Sequence, residues 1–250
     1  MYKLDNIISK RPHKTLYLDG DNCIKVFDES FDKVDILKQA LNQSKVETTG
    51  LPVAEVREVL KIDGKWAIVS KYIEGKTLQE LMDEHPEKMD EYIDLLVDIQ
   101  LEIVSKTCPN LDKLKDKMNA KISKSSLDAT TRYELHTRLD SMERHVKVCH
   151  GDLNPSNIIV TDEGKCYIID WSHVTQGNAS ADAARTYLLF CLHASKDIAD
   201  KYLKVYCKKS DTAIQYDQRW MPIVAASQSV KAIAKEREFL LSWCDVCEYE

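Results

Sequence analysis

Over the first seventy positions, apolar residues alternate with polar ones in short runs; beyond them they recur at helical spacing. Residues 6–9, 15–18 and 23–27 read as strands, and Asp19-Gly20-Asp21-Asn22 supplies hairpin-turn chemistry between the last two. Residues 32–47 then carry Val34, Leu37, Leu41 and Val46 at helical spacing, and Thr49-Gly50-Leu51-Pro52 stops the helix. Residues 53–60 and 65–69 return to extended character around the tight-turn pair Asp63-Gly64. After Gly75 an apolar stripe of Leu78, Leu81 and Met82, then Tyr92, Leu95, Leu96, Ile99 and Ile103, predicts helices. Further helices are expected at 111–122 and 128–145 and over nearly everything from 182 onward. Short apolar strands at 147–160 and 165–170 interrupt them.

This order is α+β: a small antiparallel sheet with one helix, then a larger, mainly helical part with one embedded hairpin. The expected boundaries are a first lobe at 1–69, a connector at 70–75 and a helical lobe at 76–250. At 250 residues the chain is long enough for two such lobes, each with its own core. No internal repeat is evident, and seven glycines with six prolines leave no room for a long low-complexity tract.

Charge changes the picture only a little. The formal charge of -6, with no dense basic stripe, argues against a nucleic-acid partner. No run approaches the roughly 20 apolar residues of a membrane span, and residues 1–9 lack the apolar core of a signal peptide, so the expectation is a cytoplasmic protein without a membrane partner. The eight cysteines then read as reduced thiols. Cys244 and Cys247 form a CxxC, but no second pair or nearby histidine completes a zinc site. The acidic residues Glu236, Glu238, Asp245, Glu248 and Glu250 read as a solvated face. Oligomeric state is not legible.

The segment with chemistry runs from His150-Gly151-Asp152-Leu153-Asn154-Pro155-Ser156-Asn157 through Ile158-Ile159-Val160 and a turn to Tyr167-Ile168-Ile169-Asp170-Trp171. Phosphoryl transfer needs a carboxylate to orient or deprotonate the attacking hydroxyl, and hard oxygen ligands to hold Mg²⁺ against phosphates. Asp152, followed five residues later by Asn157 and then by Asp170 across a hairpin, offers both. The two short strands would pair, bringing Asn157 and Asp170 to adjacent strand ends. Trp171 reads as packing.

This segment resembles the aminoglycoside phosphotransferase and choline-kinase-like family of small-molecule kinases: His150 to Asn157 reproduces its HGDxxxxN, and Ile168 to Trp171 its apolar-x-Asp-Trp. The resemblance extends to Lys25, in Cys23-Ile24-Lys25-Val26-Phe27, as the strand lysine that pairs nucleotide phosphates. Val69-Ser70-Lys71-Tyr72 matches the adenine-binding connector, with Ser70 and Tyr72 backbone groups on the nucleotide. It implies a bilobal protein-kinase-like fold, with Asp152 as catalytic base, Asn157 and Asp170 as Mg²⁺ ligands, and ATP or GTP as co-substrate. His150 would brace the catalytic loop, and so would Asp182, which resembles the acidic residue that opens a helix after the metal aspartate and also reads as a plain N-cap.

Two departures stand out. Where the family places a helix glutamate to hold the strand lysine, this chain has Lys38-Gln39, leaving Glu47 as the nearest candidate on that helix. The hairpin expected over the phosphates, residues 9–14, contains no glycine. These two features motivate the alternative of a catalytically weak or inactive nucleotide-binding regulator. Only eleven residues separate Asp170 from Asp182, too few for the long segment with which protein kinases dock a polypeptide. The expected acceptor is therefore a small hydroxyl-bearing metabolite or antibiotic.

Overall fold

The computed structural model describes residues 2–244. Along the chain come β1 (Ile7–Arg11), β2 (Lys14–Asp19), β3 (Asn22–Phe27), α1 (Lys33–Glu47), β4 (Val56–Ile62), β5 (Lys65–Lys71), β6 (Lys76–Thr77) and α2 (Leu78–Glu84). There follow α3 (Met89–Ser105), α4 (Leu114–Ile122), α5 (Ala129–Ser141), β7 (Lys147–Cys149), β8 (Ile158–Val160), β9 (Cys166–Ile168) and β10 (Thr175–Gly177). Five helices close the chain: α6 (Ala179–His193), α7 (Lys196–Ser210), α8 (Ile214–Gln218), α9 (Met221–Ser229) and α10 (Ala234–Leu241). Two compact units result, the first made of residues 2–84 and 155–172, the second of 85–154 and 173–244.

The first unit is built on an antiparallel sheet in the order β1-β2-β3-β5-β4. Alternation along the strands gives its two faces different work. Ile24, Val26, Ala67 and Val69 point to one side and form a core with Tyr17 and Leu60. Phe27 and Ile68 point to the other and pack on Ile36 and Ala40 of α1. Asp32 caps α1, accepting the Asp35 N–H at 2.8 Å, as an extended aspartate before a helix should.

Of the four apolar positions expected to pack on α1, only Val46 is buried. Val34, Leu37 and Leu41 are 69, 44 and 54 % exposed, while Ile36, Ala40 and Val46 are buried. The helix carries two apolar stripes, and the one ending in the small Ala40 lies on the sheet. The hairpin β8–β9 joins the short strand β6 in a three-stranded sheet of the same unit.

The second unit is helical around the small β7–β10 pair. Ile93, Leu96, Val97 and Ile103 of α3, Leu188 of α6, Tyr202 of α7 and Ile223 and Val224 of α9 are fully buried. Helix α6 begins earlier than expected, capped by Asn178, whose side chain accepts the Ser180 N–H at 2.9 Å. Asp182 is therefore not its N-cap; it sits in the first turn, 2 % exposed. Cys244 is buried, which pushes its thiol up to about 12; Cys247, and with it the CxxC pair, lies outside the described residues, as do Asp245, Glu248 and Glu250. Among the described residues no helix is long and apolar enough to cross a membrane.

Candidate active site

The register of the first unit decides which side chains meet. Leu16 lies opposite Lys25, Lys14 opposite Phe27, and Lys25 opposite Ile68, so Lys14, Leu16, Cys23, Lys25, Ile68 and Ser70 share a face. That face lines a cavity of about 140 Å³ whose wall also includes Tyr72, Asn157 and Asp170. The hairpin brings the last two in: Ile158 pairs with Ile168, and the Ile169 N–H donates to the Asn157 carbonyl at 2.9 Å. Trp171, 1 % exposed, anchors its base by donating its indole N–H to the Ile168 carbonyl at 3.0 Å.

Asp170 is the electrostatic centre of this cavity. Lys14 Nζ donates to its Oδ2 at 2.8 Å, and Lys25 Nζ lies 3.5 Å from Oδ1. Burial by itself would raise the Asp170 carboxyl, but the two ammonium groups outweigh it and hold the group well below the usual carboxylate range. Burial, together with repulsion from Lys14, in turn lowers the Lys25 ammonium. Oδ1 is buried and accepts no hydrogen bond, and Asp170 sits at φ 61°, a left-handed conformation that aspartate tolerates better than most residues. An orphaned carboxylate oxygen, in a cavity that Asn157 also lines, is an oxygen donor set that suits a hard divalent cation.

The partner of Lys25 is thus Asp170. Glu47 is engaged elsewhere, accepting the Val56 N–H at 2.8 Å, and α1 turns Gln39 and Gln43 toward the cavity. Ser70 and Tyr72 both line the wall, but the Tyr72 N–H donates to the Asp21 carbonyl at 2.8 Å. That donor is committed within the protein.

Asp152 belongs to the second unit and is held there by a network that sequence reading reached only in part. Arg185 Nη2 donates to Asp152 Oδ1 at 3.0 Å, with the two side chains 15 and 27 % exposed. The Asp152 N–H donates to Nδ1 of the fully buried His150 at 3.2 Å. Asp182 Oδ1 accepts the Gly151 N–H at 2.7 Å, and Thr186 donates to the Leu153 carbonyl at 3.0 Å. Gln100 ties these together, donating to Asp182 Oδ2 at 3.4 Å and to Thr186 at 3.3 Å while accepting from Tyr202. Burial raises the Asp182 carboxyl, opposed by His150 and the Gly151 N–H. Gly151 has φ 80°, and a Cβ there would come within 2.7 Å of the His173 carbonyl, so the loop passes where only glycine fits.

The Phosphotransferase enzyme family (APH) matches residues 31–220, well over half of the chain. The chain belongs to this family. Its fold is likewise that of solved phosphotransferases. A thermostable mutant of aminoglycoside phosphotransferase APH(4)-Ia, apo form, superposes with a TM-score of 0.69 at 15 % identity, covering 96 % of this chain and 92 % of that one. Choline kinase LicA from Streptococcus pneumoniae gives 0.64 at 17 % identity, covering 98 and 95 %. Aminoglycoside-3'-phosphotransferase of type VIII gives 0.60 at 15 % identity, covering 98 and 93 %. No curated protein sequence matches. Within the phosphotransferase fold, sequence reading missed Lys14, Arg185 and Gln100. Only Lys14 left a trace: it shares the parity of Leu16 on β2, which register then sets beside Lys25.

Proposed function

We propose that the protein transfers the γ-phosphate of ATP or GTP to a hydroxyl of a small molecule. The observation that carries this reading is the Asp170 carboxylate, charged, flanked by two lysines and keeping one buried oxygen without a hydrogen bond, in a cavity shared with Asn157. Nucleotide phosphates would take over the ammonium groups of Lys14 and Lys25, and Asp170 and Asn157 would hold Mg²⁺. The metal would supply charge neutralisation on the phosphates.

Asp152 would orient the acceptor hydroxyl and take its proton as the oxygen attacks phosphorus and the nucleoside diphosphate leaves. The Arg185 bond fixes one carboxylate oxygen and so orients the group. Catalysis is then positioning and charge compensation, as phosphoryl transfer requires. Neighbours of the same fold include a ternary complex of the APH(4)-Ia mutant with ADP and hygromycin B, which supports a nucleotide and a small acceptor together. A cytoplasmic setting fits both substrates.

The ion pair between Lys25 and Asp170 also suits a regulator that binds nucleotide without turning it over. Magnesium-dependent hydrolysis of ATP or GTP, abolished in Asp170→Ala, would exclude that reading. No hydrolysis and no transfer to any hydroxyl compound would sink the kinase reading.

A further inference from the structure

The β1–β2 hairpin contains no glycine, yet its corner is fixed. Pro12 sets the turn, and His13 takes the positive φ, 68°, that glycine more often supplies. His13 Nδ1 lies 2.8 Å from Asp28 Oδ2, and the His13 carbonyl accepts the Asp28 N–H at 3.0 Å, so the corner is tied to the residue that follows β3. On either side of it, Arg11 of β1 lies directly opposite Lys14 of β2. Both residues line the same cavity of the first unit as Lys25 and Asp170, Arg11 from an exposed position and Lys14 from a half-buried one.

Like charges directly opposite on a sheet destabilise it, and a hairpin facing only solvent gains nothing from such a pair. Lys14 is offset by Asp170, which Lys25 shares. Among the described residues Arg11 makes no ion pair, and Asp170 is the one carboxylate lining the cavity, against Arg11, Lys14, Lys25 and Lys71. Its charge in the free protein is therefore positive, which suits an anion. Position along the sheet says which part of that anion meets Arg11. Cys23 lies opposite Ser70, Lys25 opposite Ile68 and Phe27 opposite Lys14, so these levels succeed one another along β3 every two residues, roughly 7 Å. A nucleotide with its base at the Ser70 level and its phosphates running past Lys25 brings the end of the phosphate chain to Lys14 and Arg11.

We propose that Arg11, paired across the turn with Lys14, receives the terminal phosphate of the nucleotide, and that this pair makes the site prefer a nucleoside triphosphate to a diphosphate. This rests on the kinase reading above and deepens it. Side-chain charge here takes the place of the glycine-rich loop that covers the phosphates in protein kinases. A site that holds the triphosphate more tightly than the diphosphate also lets its product go after transfer.

The test is calorimetric titration of the full chain, in Mg²⁺ at pH 7 and low salt, with non-hydrolysable imido analogues of ATP and GTP and with ADP and GDP. Wild type should bind a triphosphate analogue about tenfold or more tightly than the matching diphosphate. Arg11→Gln should lose about tenfold on the triphosphate and less than about threefold on the diphosphate, while Arg11→Lys, which keeps the charge, should stay within about threefold of wild type on both. Free Arg11→Gln protein should melt no lower than wild type, because the change removes one of two opposed cations. Equal losses on both nucleotides, an unchanged triphosphate affinity, or a lowered melting midpoint would each overturn the inference. If wild type binds none of the four nucleotides, the kinase reading falls and takes this inference with it. If they bind and Arg11→Gln leaves the ratio of triphosphate to diphosphate affinity as it was, only the role of Arg11 is wrong.

Discussion

Replacing Asp170 removes the carboxylate that two half-buried lysines share, and the structure gives the size of the effect. Lys14 and Lys25 are 22 and 20 % exposed and the Asp170 side chain 16 %, so the pairs are mostly but not wholly shielded. Breaking a fully buried ion pair costs about 3–5 kcal/mol by leaving a charge uncompensated, and partial exposure reduces this to roughly 2–3 kcal/mol here. Asp170→Asn should pay only that, because asparagine also tolerates the left-handed backbone at φ 61°. Asp170→Ala should lose about 1 kcal/mol more, since alanine lacks the short polar side chain whose local hydrogen bonds offset the left-handed backbone.

For a chain of this length, about 3–4 kcal/mol corresponds to a melting midpoint lowered by roughly 6–16 °C, with asparagine falling less than alanine. Thermal denaturation at pH 7 without nucleotide measures it. Adding ATP without metal should narrow the gap to wild type, because its phosphates replace the lost carboxylate beside the two lysines. The pH dependence has a fixed sign. A carboxylate held below its ordinary range contributes stability above about pH 4, and this is lost as acid protonates it toward its lower native value. Wild type should lose more stability than Asp170→Asn between pH 5 and the acid limit. An Asp170→Ala protein that melts with wild type, or keeps magnesium-dependent turnover, would refute the reasoning.

Asp152→Asn should reduce kcat by about 10²–10⁴-fold with nucleotide affinity nearly unchanged; a defect confined to nucleotide binding would count against its role as base. Gly151→Ala forces a side chain against the His173 carbonyl at a positive φ, and should destabilise the protein by about 2 kcal/mol or more in denaturant titration; a neutral result would mean the loop is free to move. Gln100→Leu breaks the links to Asp182 and Thr186 that steady the catalytic loop, and should lower kcat without altering nucleotide affinity, as steady-state kinetics at saturating nucleotide would read.

The strand-rich first part, the helical remainder and the hairpin carrying Asn157 and Asp170 were all legible in the order of residues along the chain. Those depend on local rules: alternation makes strands, tight-turn residues join them, and a short antiparallel hairpin forces the residues at its open ends together. The family motif is equally local, which is why Asp152, Asn157, Asp170 and Lys25 could be named before any coordinates. The identity of the Lys25 partner was not local. Glu47 was the candidate that the chain offered on the helix, and only the tertiary structure set Lys25, with Lys14, beside Asp170 while Glu47 went to Val56.

Two further choices were tertiary. Helix α1 carries two apolar stripes, and the sheet selected Ile36 and Ala40, leaving Val34, Leu37 and Leu41 outside. The supports of Asp152 come from α3, α6 and α7, residues up to roughly a hundred positions apart along the chain. Helical periodicity says which side chains share a face but not what that face meets, because packing is decided by contacts between distant segments that no local pattern encodes.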